Sequence, residues 1–180
     1  MISALVVAIA LVVTMAGAAF AVSSDDTAAA TAGATSLSPH VKQHLILLRE
    51  EEKLARDVYS VLYTRWGAVA FHDIAFAEGH HMAAVKVILD RYGIADPVGA
   101  NPPGVFTNQK LQAAYAEFVA RGSKSLVDAY KVGVVIEKRE IALLRDLIGD
   151  TVRADVIRMA TNLLNGDLKH LAAFNRLLNK

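Results

Sequence analysis

Cysteine is absent from the 180 residues, which removes disulfides, thiolate zinc sites, iron-sulfur clusters and thiol nucleophiles together. Any metal must therefore sit on oxygen and nitrogen. A dominant charge is missing as well, because 19 Lys+Arg stand against 18 Asp+Glu. That balance leaves no electrostatic footprint for nucleic acid or for an anionic membrane surface. No stretch alternates apolar and polar residues with the period of a strand. Proline is scarce, four in all, and three of them (Pro97, Pro102 and Pro103) crowd one short segment. The length suits one domain with a substantial core and is too small for two full domains plus linkers.

What is present begins with a targeting signal. From Ile2 to Val22 every residue is apolar or small, and Ala19-Phe20-Ala21 has the small-x-small pattern of a signal-peptidase site. Residues 1–21 read as a signal peptide cleaved after Ala21, which sends the protein to the periplasm or cell exterior. The alternative is a membrane anchor formed by residues 2–22, since the run approaches the roughly 20 residues that span a bilayer and its start lacks Lys or Arg. Residues 22–37 are small and polar without periodicity and read as a flexible linker. Residues 38–180 are the folded domain.

That domain reads as all-α. Ser38-Pro39 is an N-cap followed by Pro at the first helical position, and helical periodicity continues to Trp66-Gly67. A second helix spans about 70–92 and stops at Gly93. Residues 93–107, with Asn101-Pro102-Pro103-Gly104, form a loop. Thr107 or Asn108 caps a short helix to about Gly122, Ser123 or Ser125 starts a third long helix ending at Gly149, and Asp150 or Thr151 opens a fourth. Two short connections make two antiparallel hairpins, and the long link between them carries its own helix. This is the order of a ferritin-like four-helix bundle with an extra crossover helix; the rival is an up-down bundle with an added helix.

Ionisable residues interrupt the apolar faces. At about 100° per residue, Glu51 falls at the centre of the first helix's apolar arc, with Glu50 and Glu52 at its edges and Lys53 and Arg56 on the far side. Glu78 is central on the second helix with His81 one turn on, whereas His72 and His80 face solvent. Glu137 is central on the third, followed by Glu140, and His170 is central on the fourth with Asp167 beside it. An isolated buried carboxylate costs several kcal/mol, and such acids would repel one another. Bound metal ions answer both problems. Protonated acids hydrogen-bonded to Tyr59, Tyr130 or each other are the alternative. Carboxylate and imidazole without thiolate suit iron or manganese, and also zinc.

The residues then carry a resemblance. Di-iron carboxylate bundles draw a Glu from each of two helices and Glu-x-x-His from each of two others; here the corresponding positions are Glu51, Glu78-x-x-His81, Glu137 and Asp167-x-x-His170. The stretches EEEKLARDVY (50–59), EGHHMAAV (78–85), RYGIADP (91–97), GVFTN (104–108), KVGVVIEKREI (131–141) and KHLAAF (169–174) resemble the ferritin-like family called domain of unknown function 2202, over nearly everything after residue 40. The resemblance implies a ferritin-like fold and metal ligands at Glu51, Glu78, His81, Glu137 and His170. Asp167 departs from it, one methylene shorter than the expected Glu, so that Glu140 or Asp167 completes the set. Arg56-Asp57 reads as a structural salt bridge.

The expected function is a di-metal oxidoreductase, with two iron ions, handling oxygen or peroxide as ferroxidases and rubrerythrins do. Lacking Cys-x-x-Cys, it would need an external electron donor. Metal sequestration without turnover and a metal-free exported bundle are the alternatives. A homodimer is compatible with the sequence.

Overall fold

The computed structural model describes residues 36–180; the expected signal peptide and most of the linker lie outside them. Helix α1, Pro39–Trp66, begins as the sequence requires: Ser38 is extended, its hydroxyl accepts from the Val41 amide at 3.2 Å, and Pro39 occupies the first turn. It ends where Gly67 adopts φ 64° and donates its amide to the Tyr63 carbonyl, a left-handed cap that favours glycine. Only Gly67 and Ala68 separate it from α2, Val69–Arg91, so the chain reverses at once.

After α2 the crossover reaches Asn108, whose side chain caps the short helix α3, Gln109–Gly122. Ser125 caps α4, Leu126–Asp150, by accepting from the Asp128 amide. A three-residue link then leads to α5, Ala154–Leu178. The fold is all-helical, with five helices and no strand among the described residues. No helix among these residues is long and apolar enough to cross a membrane.

Packing is pairwise and cyclic. α1 lies on α2, α4 on α5, α1 on α4 and α2 on α5, while α3 covers α1 and α4 from outside. Helix α1 therefore has neighbours on three sides, and even Lys53 is buried. This corrects the expectation that Lys53 faces outward.

The apolar core comes in two parts. One holds Leu54, Tyr59, Leu62, Phe71, Phe118, Ile136 and Phe174; the other holds Val41, Leu45, Leu48, Val85, Leu89, Leu144, Val156 and Leu163. Each fully buried Leu or Phe contributes about 1.5–3 kcal/mol. The positions between the two clusters are filled by Glu52, Glu78, His81, Glu137, Glu140, Asp167 and His170. A charged layer thus interrupts an otherwise continuous core, at a desolvation cost of several kcal/mol per ion.

Candidate metal centre

Glu52, Glu78, Glu137, Glu140 and Asp167 are all fully buried, with no solvent exposure. They come from α1, α2, α4 and α5. Their cationic neighbours are two imidazoles, His81 and His170, stacked 5.6 Å apart and 13% exposed at the edge of the layer. The Nδ1 atom of His81 lies 2.7 Å from Glu78 Oε2, 3.3 Å from Glu52 Oε2 and 3.3 Å from Asp167 Oδ1. His170 Nδ1 lies 2.8 Å from Glu78 Oε1 and 3.5 Å from Glu137 Oε2. Each oxygen of Glu78 thus serves one histidine.

These close approaches are not aligned as hydrogen bonds. Both oxygens of Glu52, Glu78, Glu140 and Asp167, one of Glu137, and Nδ1 of both histidines are buried without a hydrogen-bond partner. Buried polar atoms in folded proteins are nearly always satisfied. So many orphans converging on one place fit electron-pair donors around cations. Two sets of donor atoms lie within 4.8 Å of one another: Glu78, Glu137, Asp167 and His170 form one, and Glu52, Glu78 and His81 form the other. Both sets include Glu78.

Local sequence explains how the side chains arrive. Val41, Leu45, Leu48, Glu52, Ala55, Tyr59 and Leu62 alternate steps of four and three along α1, and all are buried. The same alternation places Glu78 among Phe71, Ala75, Met82, Val85 and Leu89, Glu137 and Glu140 among Gly133, Leu144 and Leu147, and Asp167 and His170 among Val156, Ala160, Leu163 and Phe174. Such a seam faces neighbouring helices along its whole length. Gly166 completes the fit, because a Cβ there would stand 2.7 Å from Cε1 and Nε2 of His81.

Charge and burial compete in the metal-free cluster. Burial raises Glu52 and Glu140 well above the usual 4.5, with repulsion from Glu78 and Asp167 adding to both. Burial, and then the charge of Glu78, pushes Glu137 up to about 8 against the pull of His170. Asp167 is raised by burial despite His81. For Glu78 the burial effect is outweighed by His170 and His81, which hold it at about 2. Burial disfavours both imidazolium ions, yet Asp167, Glu52 and Glu78 lift His81 to about 12, and Glu137 and Glu78 lift His170 to about 10. Without metal, protons take the place of cations.

One aligned hydrogen bond supports the layer: Tyr59 donates its hydroxyl to Glu137 Oε1 at 2.7 Å. Burial and the charges of Glu137 and Glu140 keep that phenol protonated. Tyr59 thereby fixes the carboxylate from the apolar side.

Glu51 is a correction. It was expected at the centre of the inward face, but its Oε1 accepts from Arg139 at 2.7 Å at the α1–α4 rim, and burial raises its carboxyl only partly offset by that guanidinium. Glu52 takes the inward position. The error has a physical cause: with α2, α3 and α4 all packed on α1, the apolar arc is wide and its middle does not point at the layer. The four-three seam would have identified Glu52. Glu78, His81, Glu137, Glu140, Asp167 and His170 do meet, and His72 and His80 are exposed as expected.

Arg49 and the rest of the EEEKLARD run that follows it tie the crossover down. Arg49 grips Asp96 through two bonds of 3.0 Å, and Glu50 accepts from the amides of Thr107 and Asn108 at the start of α3. Lys53 donates to Asp57 and to the Pro102 carbonyl. Asp57 also accepts from Arg56 and from the Gly104 amide at 2.9 Å. This is the expected structural salt bridge, set deeper than a surface pair.

The uncharacterized protein MJ0754 of Methanocaldococcus jannaschii is 46% identical over 143 residues, covering 79% of this chain and 77% of that protein. Its crystal structure superposes with a TM-score of 0.78, over 79% of this chain and 82% of that one. A DUF305 fragment from Deinococcus radiodurans, 14% identical, shares the fold with a TM-score of 0.59, over 80% of this chain and 98% of the fragment. The model of one family, described as "Uncharacterized protein domain (DUF2202)", matches residues 41–180, and the chain belongs to that family.

Proposed function

We propose that the protein is a ferritin-like di-metal carboxylate protein whose physiological metal is iron and whose chemistry is redox, of the ferroxidase or peroxidase kind. The observation that carries this reading is the buried, unpaired state of the donor atoms around Glu78. A hydrogen-bonded metal-free network would leave no such orphans. The cyclic packing of four long helices and the crossover carrying α3 support the ferritin-like arrangement.

Glu78 would help to hold both ions, since it belongs to both donor sets. His170, Glu137 and Asp167 would complete one shell, and His81 and Glu52 the other. Glu140, with two free oxygens facing the same layer, is available to either. Oxygen and imidazole donors without thiolate match iron and manganese, with zinc as a competitor. Bound iron would supply two-electron reducing power, enough to reduce one peroxide to two waters with uptake of two protons, and the lack of an internal redox centre means an external electron donor would be needed to renew it.

The chain's own residues do the rest. His81 and His170 give up Nδ1 protons when they ligate, and Glu52, Glu137 and Glu140 give up carboxyl protons. Tyr59 holds Glu137 in one rotamer. The apolar clusters above and below exclude bulk water from the layer.

Elemental analysis of the natively expressed protein tests metal binding: two ions per chain are expected, and none would overturn the proposal. Stopped-flow absorbance after ferrous protein meets oxygen or peroxide tests turnover. A ferric signal forming no faster than in buffer would leave sequestration in place of catalysis.

A further inference from the structure

His40 and His44 stand one turn apart on α1, and Asp150 is the last residue of α4. Asp150 Oδ2 lies 3.0 Å from His40 Nε2 and 3.3 Å from His44 Nδ1. The three donor atoms fall within 4.8 Å of one another, and the imidazole rings are 4.2 Å apart. Zinc bonds to nitrogen of about 2.0 Å in a tetrahedron separate donors by roughly 3.3 Å, close to both measured spacings.

An ordinary surface ion pair is the plain alternative, and His44 argues against it. Its Nδ1 is buried and has no hydrogen-bond partner, although Asp150 is only 3.3 Å away. The nitrogen is therefore aimed beside the carboxylate rather than at it. Asp150 closes α4, where the carbonyl ends of the helix favour a cation. His40 is 66% exposed, so an ion reaches the position directly from solvent.

We propose that His40, His44 and Asp150 form a second, mononuclear site for a late first-row divalent cation such as zinc, independent of the charged interior layer. The two sites are separated by Leu45 and Leu48 and by roughly 12–18 Å of α1, at about 1.5 Å per residue. An ion there pins the first two turns of α1 to the end of α4 and leaves a fourth coordination position to water.

Zinc titration of the metal-free full chain against a chromophoric chelator tests the site, with His40→Ala and Asp150→Asn as variants. Both change partly or largely exposed side chains, so the fold is kept. Wild type should bind one zinc more than either variant at matched free zinc, with affinity at this position falling by more than the roughly 10–100-fold that loss of an outer partner causes. Iron uptake by the interior should stay the same. Anomalous diffraction of zinc-soaked wild-type crystals should place a peak between the three side chains. Equal stoichiometry and affinity in wild type and variants, or a map without that peak, overturns the assignment.

Discussion

Two groups of buried charge lie back to back on α1. Asp57 is as enclosed as Glu52, yet its oxygens receive Lys53, Arg56 and the Gly104 amide, whereas no aligned hydrogen bond reaches either oxygen of Glu52. Burial alone therefore does not mark a ligand. What marks one is burial without a donor, in company with other acceptors that would repel unless something positive came between them. The Asp57 group is a finished ionic knot that anchors the crossover; the Glu52 group leaves its acceptor atoms without aligned donors.

The sharpest way to break this contrast is at Glu78. Glu78→Gln should remove both ions rather than one, because both donor sets include that residue, and should lower ferrous oxidation by at least about 100-fold. Metal analysis finding one tightly held ion would show that Glu78 does not hold both. Next in size is Asp57→Ala, which strands the buried Lys53 ammonium and should cost about 3–5 kcal/mol in urea unfolding while iron stoichiometry in the folded fraction is unchanged. Loss of metal at full stability would reverse the roles of the two groups.

Proton linkage separates them further. With Glu137 raised to about 8 and His170 to about 10, and Glu52 and Glu140 also raised, the folded metal-free chain holds more protons than the unfolded chain between about pH 4.5 and 10. Its melting temperature should fall as pH rises through that window. Glu78, held at about 2, acts in the opposite sense only at lower pH, losing its contribution as pH falls below about 4.5. With iron bound the fall should vanish, since the ions displace those protons. A metal-free protein most stable at pH 8 would contradict the charge assignment. The smallest effect belongs to Glu51→Gln: the Arg139 partner is 41% exposed, so solvent screening limits the loss to about 1 kcal/mol or less, and metal content should stay constant.

Much of this was legible in the chain. Ser38-Pro39 and Gly67 bracket α1 because capping chemistry is local, and the cluster at Pro97 to Gly104 declares a loop for the same reason. The meeting of Glu78, Glu137, Glu140, Asp167 and His170 in one layer was readable because a seam facing other helices keeps its spacing whatever it carries. Glu51 was misplaced, and Lys53 was expected outside, because α3 and the Phe106 loop cover a side of α1 that its own sequence writes as polar. Lys53 stands over the Phe106 ring at 4.4 Å, a contact that depends on chain 53 residues away. The pairing of Glu50 with the start of α3 is equally long-range. Those partners exist only once the crossover has folded back.

Gly166 has a consequence for how the chain can be improved. Glycine within a helix sacrifices about 1 kcal/mol relative to alanine, so a screen for thermal resistance in metal-free protein should favour Gly166→Ala, with the His81 ring swinging aside to admit the methyl group. A screen for iron loading should reject the same change. Sturdiness and the placement of the His81 ring are thus in direct conflict at a single position, and the chain has kept the weaker helix.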